Sequence, residues 1–341
     1  MKAAICIEPG RLELVDRPQH KQLEPGEVRL SVSHVGICGT DYHIFQGKHP
    51  FMTYPRIMGH EISARVMEGG TGVFAEKGTL AIVNPYISCG HCIACRKGKP
   101  NCCMRIEVLG VHRDGAFCEE IVVPQSNLYL ADGLTAEAAA TVEFLAIGAH
   151  AVRRGINTND AERALVIGAG PIGLGTALFA RIAGLDVTLL DTSAERLSVA
   201  DQRFGFSRSI LGTSSVASDI ADQTSGEGYD IVFDATGNAA SMESAFGFVA
   251  HGGSLIFVSV VKDQIRFSDP EFHKREMCVV GSRNATHADF DYVRAALAAG
   301  MVPSNLLITH RTTLDRLPQD LPRWALEKTG LIKAVVAIGE A

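Results

Sequence analysis

Along residues 1–130 the apolar positions come in short runs, each closed by a turn signal. EVRLSV (27–32), ARVMEG (64–69), TLAIVNP (79–85) and EEIVVP (119–124) are such runs, with PG, GG and DG pairs between them. Short β-branched stretches bounded by Gly and Pro predict strands, and this many of them predict a β-rich, barrel-like domain. Beyond residue 134, TAEAAATVEFLAIGAHAVRR has helical composition and no breaker before Gly148. The texture then changes. RALVIG (163–168), DVTLLD (186–191), YDIVFDATG (229–237) and GSLIFVSV (253–260) are apolar and β-branched, and the helical patterns SAERLSVADQRF (193–204) and SMESAFGFVA (241–250) fall between them. That alternation predicts βαβ units around a parallel sheet. The tail is mixed, with a helical YVRAALAAG and a strand-like KAVVAI.

A length of 341 residues suggests two domains, at roughly 150 residues each. The composition, 46% hydrophobic and 21% charged, is that of a soluble globular protein. One stretch, residues 164–180, carries no charge, but its glycines and proline predict a strand, a turn and a helix start rather than a membrane span. A net charge of −6 and a pI of about 6.1 give no bulk drive toward nucleic acid or an anionic membrane, so neither is expected as a partner. The N-terminal stretch has no long apolar core after its lysine, so no signal peptide is expected. The expectation is a cytoplasmic protein whose cysteines serve metal rather than disulfides.

Five of the nine cysteines lie between Cys89 and Cys103, in CGHCIACRKGKPNCC. The spacing Cys89, Cys92, Cys95, Cys103 lets four thiolates close tetrahedrally around zinc. Such a site has no open position, so it shapes a loop and does no chemistry. Common ferredoxin spacings do not fit. Cys102 and His91 compete for the fourth place; Cys103 is preferred and the other two are read as bystanders.

A second donor set is spread more widely. Cys38 stands in GICGTDYH, and His60 and Glu61 close YPRIMGHE. A thiolate, an imidazole and a carboxylate suit zinc, and three protein ligands leave a position open, the catalytic arrangement. Glu143 is a carboxylate inside the apolar stretch ATVEFLAIGAHA; on composition alone a surface glutamate is as good a reading.

VIGAGPIG places Gly168, Gly170 and Gly173 directly after a strand and before a helix, with Pro171 and Ile172 in the turn; the next strand ends at Asp191. That context makes GxGxxG a dinucleotide fingerprint. The glycines admit the pyrophosphate to the helix N-terminus, and Asp191 is placed for the ribose 2′-hydroxyl, favouring NAD over NADP. Arg196, five residues on, tempers that preference. Thr236 and Val258, at the ends of later strands, complete the expected cofactor lining.

In this order the residues Cys38, His60–Glu61, the four-cysteine loop, GxGxxG and Asp191 resemble the zinc-dependent medium-chain alcohol dehydrogenases over essentially the whole chain. The resemblance implies an α/β fold: a GroES-like β-rich catalytic domain from residues 1–150 and 288–341, around a central doubly wound Rossmann domain at 151–287. It also implies two zinc ions per chain, one catalytic and one structural, with NAD as cofactor, and a homo-oligomer, dimer or tetramer. The polyol and sugar branch is closest, because it has Gly-His-Glu and a glutamate where Glu143 stands. The implied ligands are Cys38, His60 and one or both of Glu61 and Glu143. The proline usual after this glutamate is Phe144 here.

GVHRDGAF (110–117), AHAVRR (149–154), FSDPEFHKREMCVVGSRNAT (267–286) and LITHR (307–311) further resemble the L-galactonate 5-dehydrogenase type of bacterial sugar-acid dehydrogenase, and fewer of them the starvation-sensing dehydrogenase-like proteins. The implied reaction is hydride transfer from a secondary alcohol of a sugar acid or polyol to NAD⁺. Thr40 and His43 match the family's proton relay. Arg283 and Asn284, in GSRNAT, become candidate substrate or cofactor contacts, since an arginine fork suits a carboxylate; His112 and Arg113 are weaker candidates. A sorbitol, galactitol or L-threonine dehydrogenase would use the same machinery. A reading of another class is a regulatory protein that binds zinc and NAD with little turnover.

Overall fold

The computed structural model describes residues 1–18, 22–49, 52–73, 75–156, 161–327 and 329–339. Its contacts divide the chain into two compact units: Met1–Glu143 with Thr286–Ala341, and Phe144–Ala285.

The first unit is built on mainly antiparallel sheets, with one parallel pair between Ile308–Thr313 and Lys333–Ala337. The long strand Glu27–Ile37 pairs with Glu61–Gly69, with Glu120–Pro124 and with the C-terminal strand Lys333–Ala337. The runs read as strands from their apolar spacing are strands, and their alternating burial puts Val28, Leu30, Val32 and Val35 into one core with Ile62, Ala64 and Val66. Register decides what meets what. Gly36 lies opposite Glu61 on one side and opposite Val335 on the other. Glu61 and Lys333, 272 residues apart in sequence, are thereby brought within hydrogen-bond distance in one sheet.

The second unit is a six-stranded sheet, parallel throughout. Its strands lie in the order Ser209–Leu211, Asp186–Asp191, Arg163–Ile167, Tyr229–Asp234, Val249–Phe257 and Cys278–Gly281. Counted along this unit the order is 3-2-1-4-5-6, the doubly wound Rossmann arrangement. The uncharged stretch 164–180 is, as expected, a strand, a turn and the helix Pro171–Ile182. No helix among the described residues is long and apolar enough to cross a membrane.

Two local expectations differ from the structure. The helical stretch after residue 134 is two helices, Ala136–Ala139 and Val142–Ile156, and the second runs through Gly148. Gly148 is a contact point rather than a breaker: a Cβ there would lie 2.6 Å from the Thr176 amide nitrogen, so only glycine lets these two helices approach so closely. The pattern SMESAFGFVA is α-helical as far as Ala245 and a 3-10 turn over Phe246–Phe248; Val249 and Ala250 already belong to the next strand, where both are buried.

Candidate active site

Cys38 occupies the turn where the strand Glu27–Ile37 passes into the helix Gly39–Phe45. Asp41 caps that helix. Its Oδ2 accepts the Cys38 amide at 2.8 Å and its Oδ1 accepts the Gly59 amide at 3.1 Å. One fully buried carboxylate therefore ties the loop that carries Cys38 to the loop that carries His60. Burial pushes the Asp41 carboxyl up, against the pull of His60 and of the two amides. The donor atoms of Cys38, His60 and Glu61 lie within 4.8 Å of one another. Burial opposes charge on His60, but Asp41 and Cys38 beside it outweigh burial and hold its imidazole well above the usual histidine range. Thr40 Oγ1 is 3.8 Å from Cys38 Sγ, while His43, on the same helix, is exposed.

The two glutamates have different partners. Glu61 is fully buried, and the Lys333 ammonium donates to both its oxygens, at 2.6 and 2.8 Å, and to the Ile37 carbonyl at 3.3 Å. Room for this pair comes from Gly36, where a Cβ would sit 2.0 Å from Glu61 Oε2. Glu143, second in the helix Val142–Ile156, is 1% exposed. The Tyr86 hydroxyl donates to its Oε1, and its Oε2 is buried without a hydrogen-bond partner. Phe144, in the proline position, is buried inside the same first turn. With no cation present, burial pushes the Glu143 carboxyl up to about 7, with Glu61 adding and His60 opposing.

A cation fits this pocket on its own evidence. His60 Nδ1 is buried and has no hydrogen bond, since Asp41 Oδ1 at 3.9 Å is out of reach; Glu143 Oε2 is in the same condition. A buried imidazole nitrogen left unmatched beside a thiol is what a zinc ion with sulfur, nitrogen and oxygen ligands satisfies; Glu143 is not part of the close Cys38–His60–Glu61 cluster, but lies within electrostatic range of His60.

Cys89, Cys92, Cys95 and Cys103 form a second cluster, with donor atoms within 4.8 Å of one another. Cys103 is buried, and its sulfur accepts the amides of Cys89 and Arg105, each at 3.3 Å. The amides of Cys95 and Met104 pull the Cys92 thiol down to about 6, favouring the thiolate that zinc requires. Cys102 is exposed and outside the cluster. His91 turns away: its Nδ1 lies 2.6 Å from the Cys89 carbonyl, and its Nε2 lies 3.3 Å from Arg105.

In the Rossmann unit the strand Arg163–Ile167 ends at Gly168, which has φ +98°. A Cβ on Gly173 would meet the Gly168 carbonyl at 1.6 Å, whereas one on Gly170 would meet no protein atom within 4 Å. Gly173 is thus a packing glycine, and Gly170 leaves space for a ligand at the N-terminus of a twelve-residue helix. A cleft of about 560 Å³ opens there, lined by Gly168, Gly170, Asp191, Arg196 and Thr236 among others. Asp191 is 5% exposed and already accepts the amides of Ala169 (2.7 Å) and Ser193 (2.8 Å). Each of its oxygens keeps a second acceptor site. Arg196 lies 3.6 Å from Asp191 Oδ2. Pro171, Ile172 and Gly173 form the first turn of the helix and are not among the residues lining the cleft. Val258 is buried, and its amide donates to the Asp234 carbonyl. Arg283 is exposed and Asn284 adopts φ +52°, both just beyond the last strand of the sheet.

Residues 24–132 match the alcohol dehydrogenase GroES-like domain, and residues 171–299 match the zinc-binding dehydrogenase domain. The chain is 39% identical over 339 residues to L-galactonate-5-dehydrogenase of Escherichia coli strain K12, covering 98% of each chain. It belongs to the zinc-dependent medium-chain dehydrogenases, in their polyol and sugar branch. It is accordingly an alcohol or sugar-acid oxidoreductase, with the α/β fold class expected. Among solved structures, the alcohol dehydrogenase rspB from Escherichia coli CFT073, complexed with NADH, superposes with a TM-score of 0.92 at 27% identity, covering 99% of each chain. A zinc-binding dehydrogenase from Sinorhizobium meliloti 1021, bound to NADP, gives a TM-score of 0.88 at 27% identity, covering 98% of each chain.

Three side chains of this dehydrogenase escaped the sequence reading. Lys333 stands in KAVVAI, whose continuous apolar, β-branched run marks a buried strand; a lysine at its buried end was the available signal that a buried acid faces it. Tyr86 has no signal of its own. Asp234 closes the strand Tyr229–Asp234, where it takes the Thr236 amide and hydroxyl on Oδ1 and the Ser241 hydroxyl on Oδ2. Its place at the end of a strand in DATG was visible in the sequence. The weaker candidates are occupied elsewhere: His112 Nδ1 accepts the Val108 amide at 3.1 Å, and Arg113 pairs with Glu107 at 3.6 Å.

Proposed function

We propose that the chain oxidises a secondary alcohol of a sugar acid or polyol, an L-galactonate-like aldonate first among them, with NAD⁺ as hydride acceptor. The observation that carries this is the buried cluster of Cys38, His60 and Glu61, with His60 Nδ1 left unmatched in it and Glu143 Oε2 buried and unmatched within electrostatic range of His60. Zinc held by Cys38, His60 and a carboxylate supplies the Lewis acidity that lowers a substrate hydroxyl's pKa. Of the two carboxylates we assign this place to Glu143, because Lys333 already engages both oxygens of Glu61. Thr40, beside Cys38, is assigned to the substrate oxygen, and the exposed His43 to proton exchange with water. The four-cysteine cluster takes a second, structural zinc.

The unit formed from both termini carries the chemistry in this reading, and the central unit binds the nicotinamide cofactor. Asp191 has acceptor capacity left for ribose hydroxyls, which favours NAD; Arg196 offers a cation to a 2′-phosphate, so the preference is graded. Arg283 and Asn284 are assigned to the substrate carboxylate and the cofactor. A homo-oligomer is proposed from the edge strand Cys278–Gly281, three of whose four residues are exposed.

The test is NADH formation with L-galactonate, other aldonates, sorbitol, galactitol and L-threonine, repeated with NADP⁺. Preference for an aldonate supports the reading. Preference for a neutral polyol retains the zinc chemistry and discards the carboxylate site. Silence across the panel, with both metals bound, moves the weight to a binding protein with little turnover.

A further inference from the structure

We propose that Tyr86 is a positioning residue of the metal centre: its phenol holds one oxygen of Glu143 and so presents the other to the cation. The proposal rests on Glu143 being the carboxylate of that centre. Glu143 lies within electrostatic range of His60, Glu61 and Lys333. A carboxylate with no fixed partner is free to rotate among such neighbours. The Tyr86 hydroxyl takes Oε1, which leaves Oε2 buried and unmatched.

Tyr86 is itself held on every side. Its amide donates to Asn84 Oδ1 at 3.0 Å, and its carbonyl accepts from Asn127 Nδ2 at 3.1 Å. The same Asn127 amide group donates to the Asn84 carbonyl at 2.8 Å, closing a small buried network. Its ring meets Phe290 edge to face, with centroids 6.4 Å apart. Its strand, Tyr86–Ile87, pairs antiparallel with Glu107–Val108, and the four-cysteine loop is the segment that these two short strands enclose. A phenol so restrained orients a carboxylate at little entropic cost. The ladder beneath the four-cysteine loop thereby acquires a task at the other metal centre.

The experiment compares Tyr86→Phe, Glu143→Gln and the double variant, in protein whose four-cysteine site is filled with zinc. The readouts are Co²⁺ affinity of the Cys38–His60 site, its visible absorption spectrum, and NADH binding. Partners of this kind are worth about 10- to 100-fold in metal affinity. The expected result is a loss of about 10-fold or more in Tyr86→Phe with an altered spectrum, unchanged NADH affinity, and a double variant no weaker than Glu143→Gln alone. A weakened Glu143→Gln beside a wild-type Tyr86→Phe overturns the proposal and leaves Glu143 as a ligand. Wild-type affinity and spectrum in Glu143→Gln remove the reading of Glu143 itself, and this proposal with it. Fully additive losses in the double variant place Tyr86 on some other route, which also overturns it.

Discussion

Lys333 donates to both carboxylate oxygens of Glu61, at 2.6 and 2.8 Å, with both side chains out of solvent. The pair joins the C-terminal strand to the strand after His60. Burying two charges is costly, and the pair persists because its geometry and the Ile37 carbonyl satisfy the ammonium. Removing one partner leaves the other charged and unmatched. Lys333→Met is expected to lower stability by about 3–5 kcal/mol, and the double variant Lys333→Met/Glu61→Gln to recover a large part of that. Urea unfolding of the three proteins reads both; a single variant as stable as the wild type would contradict the account.

Gly36→Ala attacks the same pair from the backbone side. The new methyl would lie 2.0 Å from Glu61 Oε2, and its flanks are sheet neighbours on both sides. Glu61 must then leave Lys333 or the strands must part. A loss of about 1–3 kcal/mol is expected from overpacking of this kind. Lys333→Met combined with Gly36→Ala should lose less than the sum, because both break one interaction; strict additivity would argue that Gly36 serves some other contact.

Two glycines of the fingerprint separate packing from binding. A Cβ at position 173 runs into the Gly168 carbonyl at 1.6 Å, so Gly173→Ala is expected to lower the melting temperature and NADH affinity together. A Cβ at position 170 meets no protein atom within 4 Å, so Gly170→Ala is expected to fold as the wild type and to lose NADH affinity by about 10-fold or more, since the methyl occupies ligand space. Thermal unfolding beside NADH fluorescence titration distinguishes them. Equal affinity in Gly170→Ala and wild type would place the pyrophosphate elsewhere.

What was legible in the sequence was local. The strand–glycine–helix passage at 163–182 and the strand ending at Asp191 are marked by spacing, because the elements there follow one another along the chain. The four-cysteine cluster was legible for the same reason: its members lie within fifteen residues. The pairing of Glu61 with Lys333 was not, because it depends on the register of two strands laid on either side of Gly36. Tyr86 was missed for a similar reason. Its hydroxyl gains meaning only once a helix that begins 56 residues later brings Glu143 to it. Gly148 was misread because a glycine in a helical pattern looks alike whether it breaks the helix or admits a neighbour.

The four-cysteine loop makes a simple demand on stoichiometry. Cys103 accepts two amides and sits in the cluster, whereas Cys102, beside it in sequence, is exposed and outside. Cys103→Ser is expected to lose one zinc equivalent per chain by metal analysis, and Cys102→Ser to lose none. Two equivalents retained in Cys103→Ser would return the fourth place to Cys102 or His91.

The Glu143 carboxyl yields a pH prediction whose sign is fixed. In the cation-free fold, burial raises it from 4.5 to about 7. A folded value above the unfolded one means that this group's favourable contribution to stability is present below pH 4.5 and is lost as pH rises toward 7. A cation that takes Oε2 needs the carboxylate, so binding must expel the proton wherever the cation-free fold holds it. With the four-cysteine site already filled, zinc binding at pH 6 is expected to release more protons than binding at pH 8. Calorimetric titration in two buffers of different ionisation enthalpy counts them. Cys38 and His60 contribute to the same count, so the decisive comparison is Glu143→Gln, which should release fewer protons than the wild type at pH 6 and nearly the same number at pH 8. Equal release by the two proteins at pH 6 would mean that no proton leaves Glu143 when the metal arrives, and that its unmatched oxygen does not face the cation.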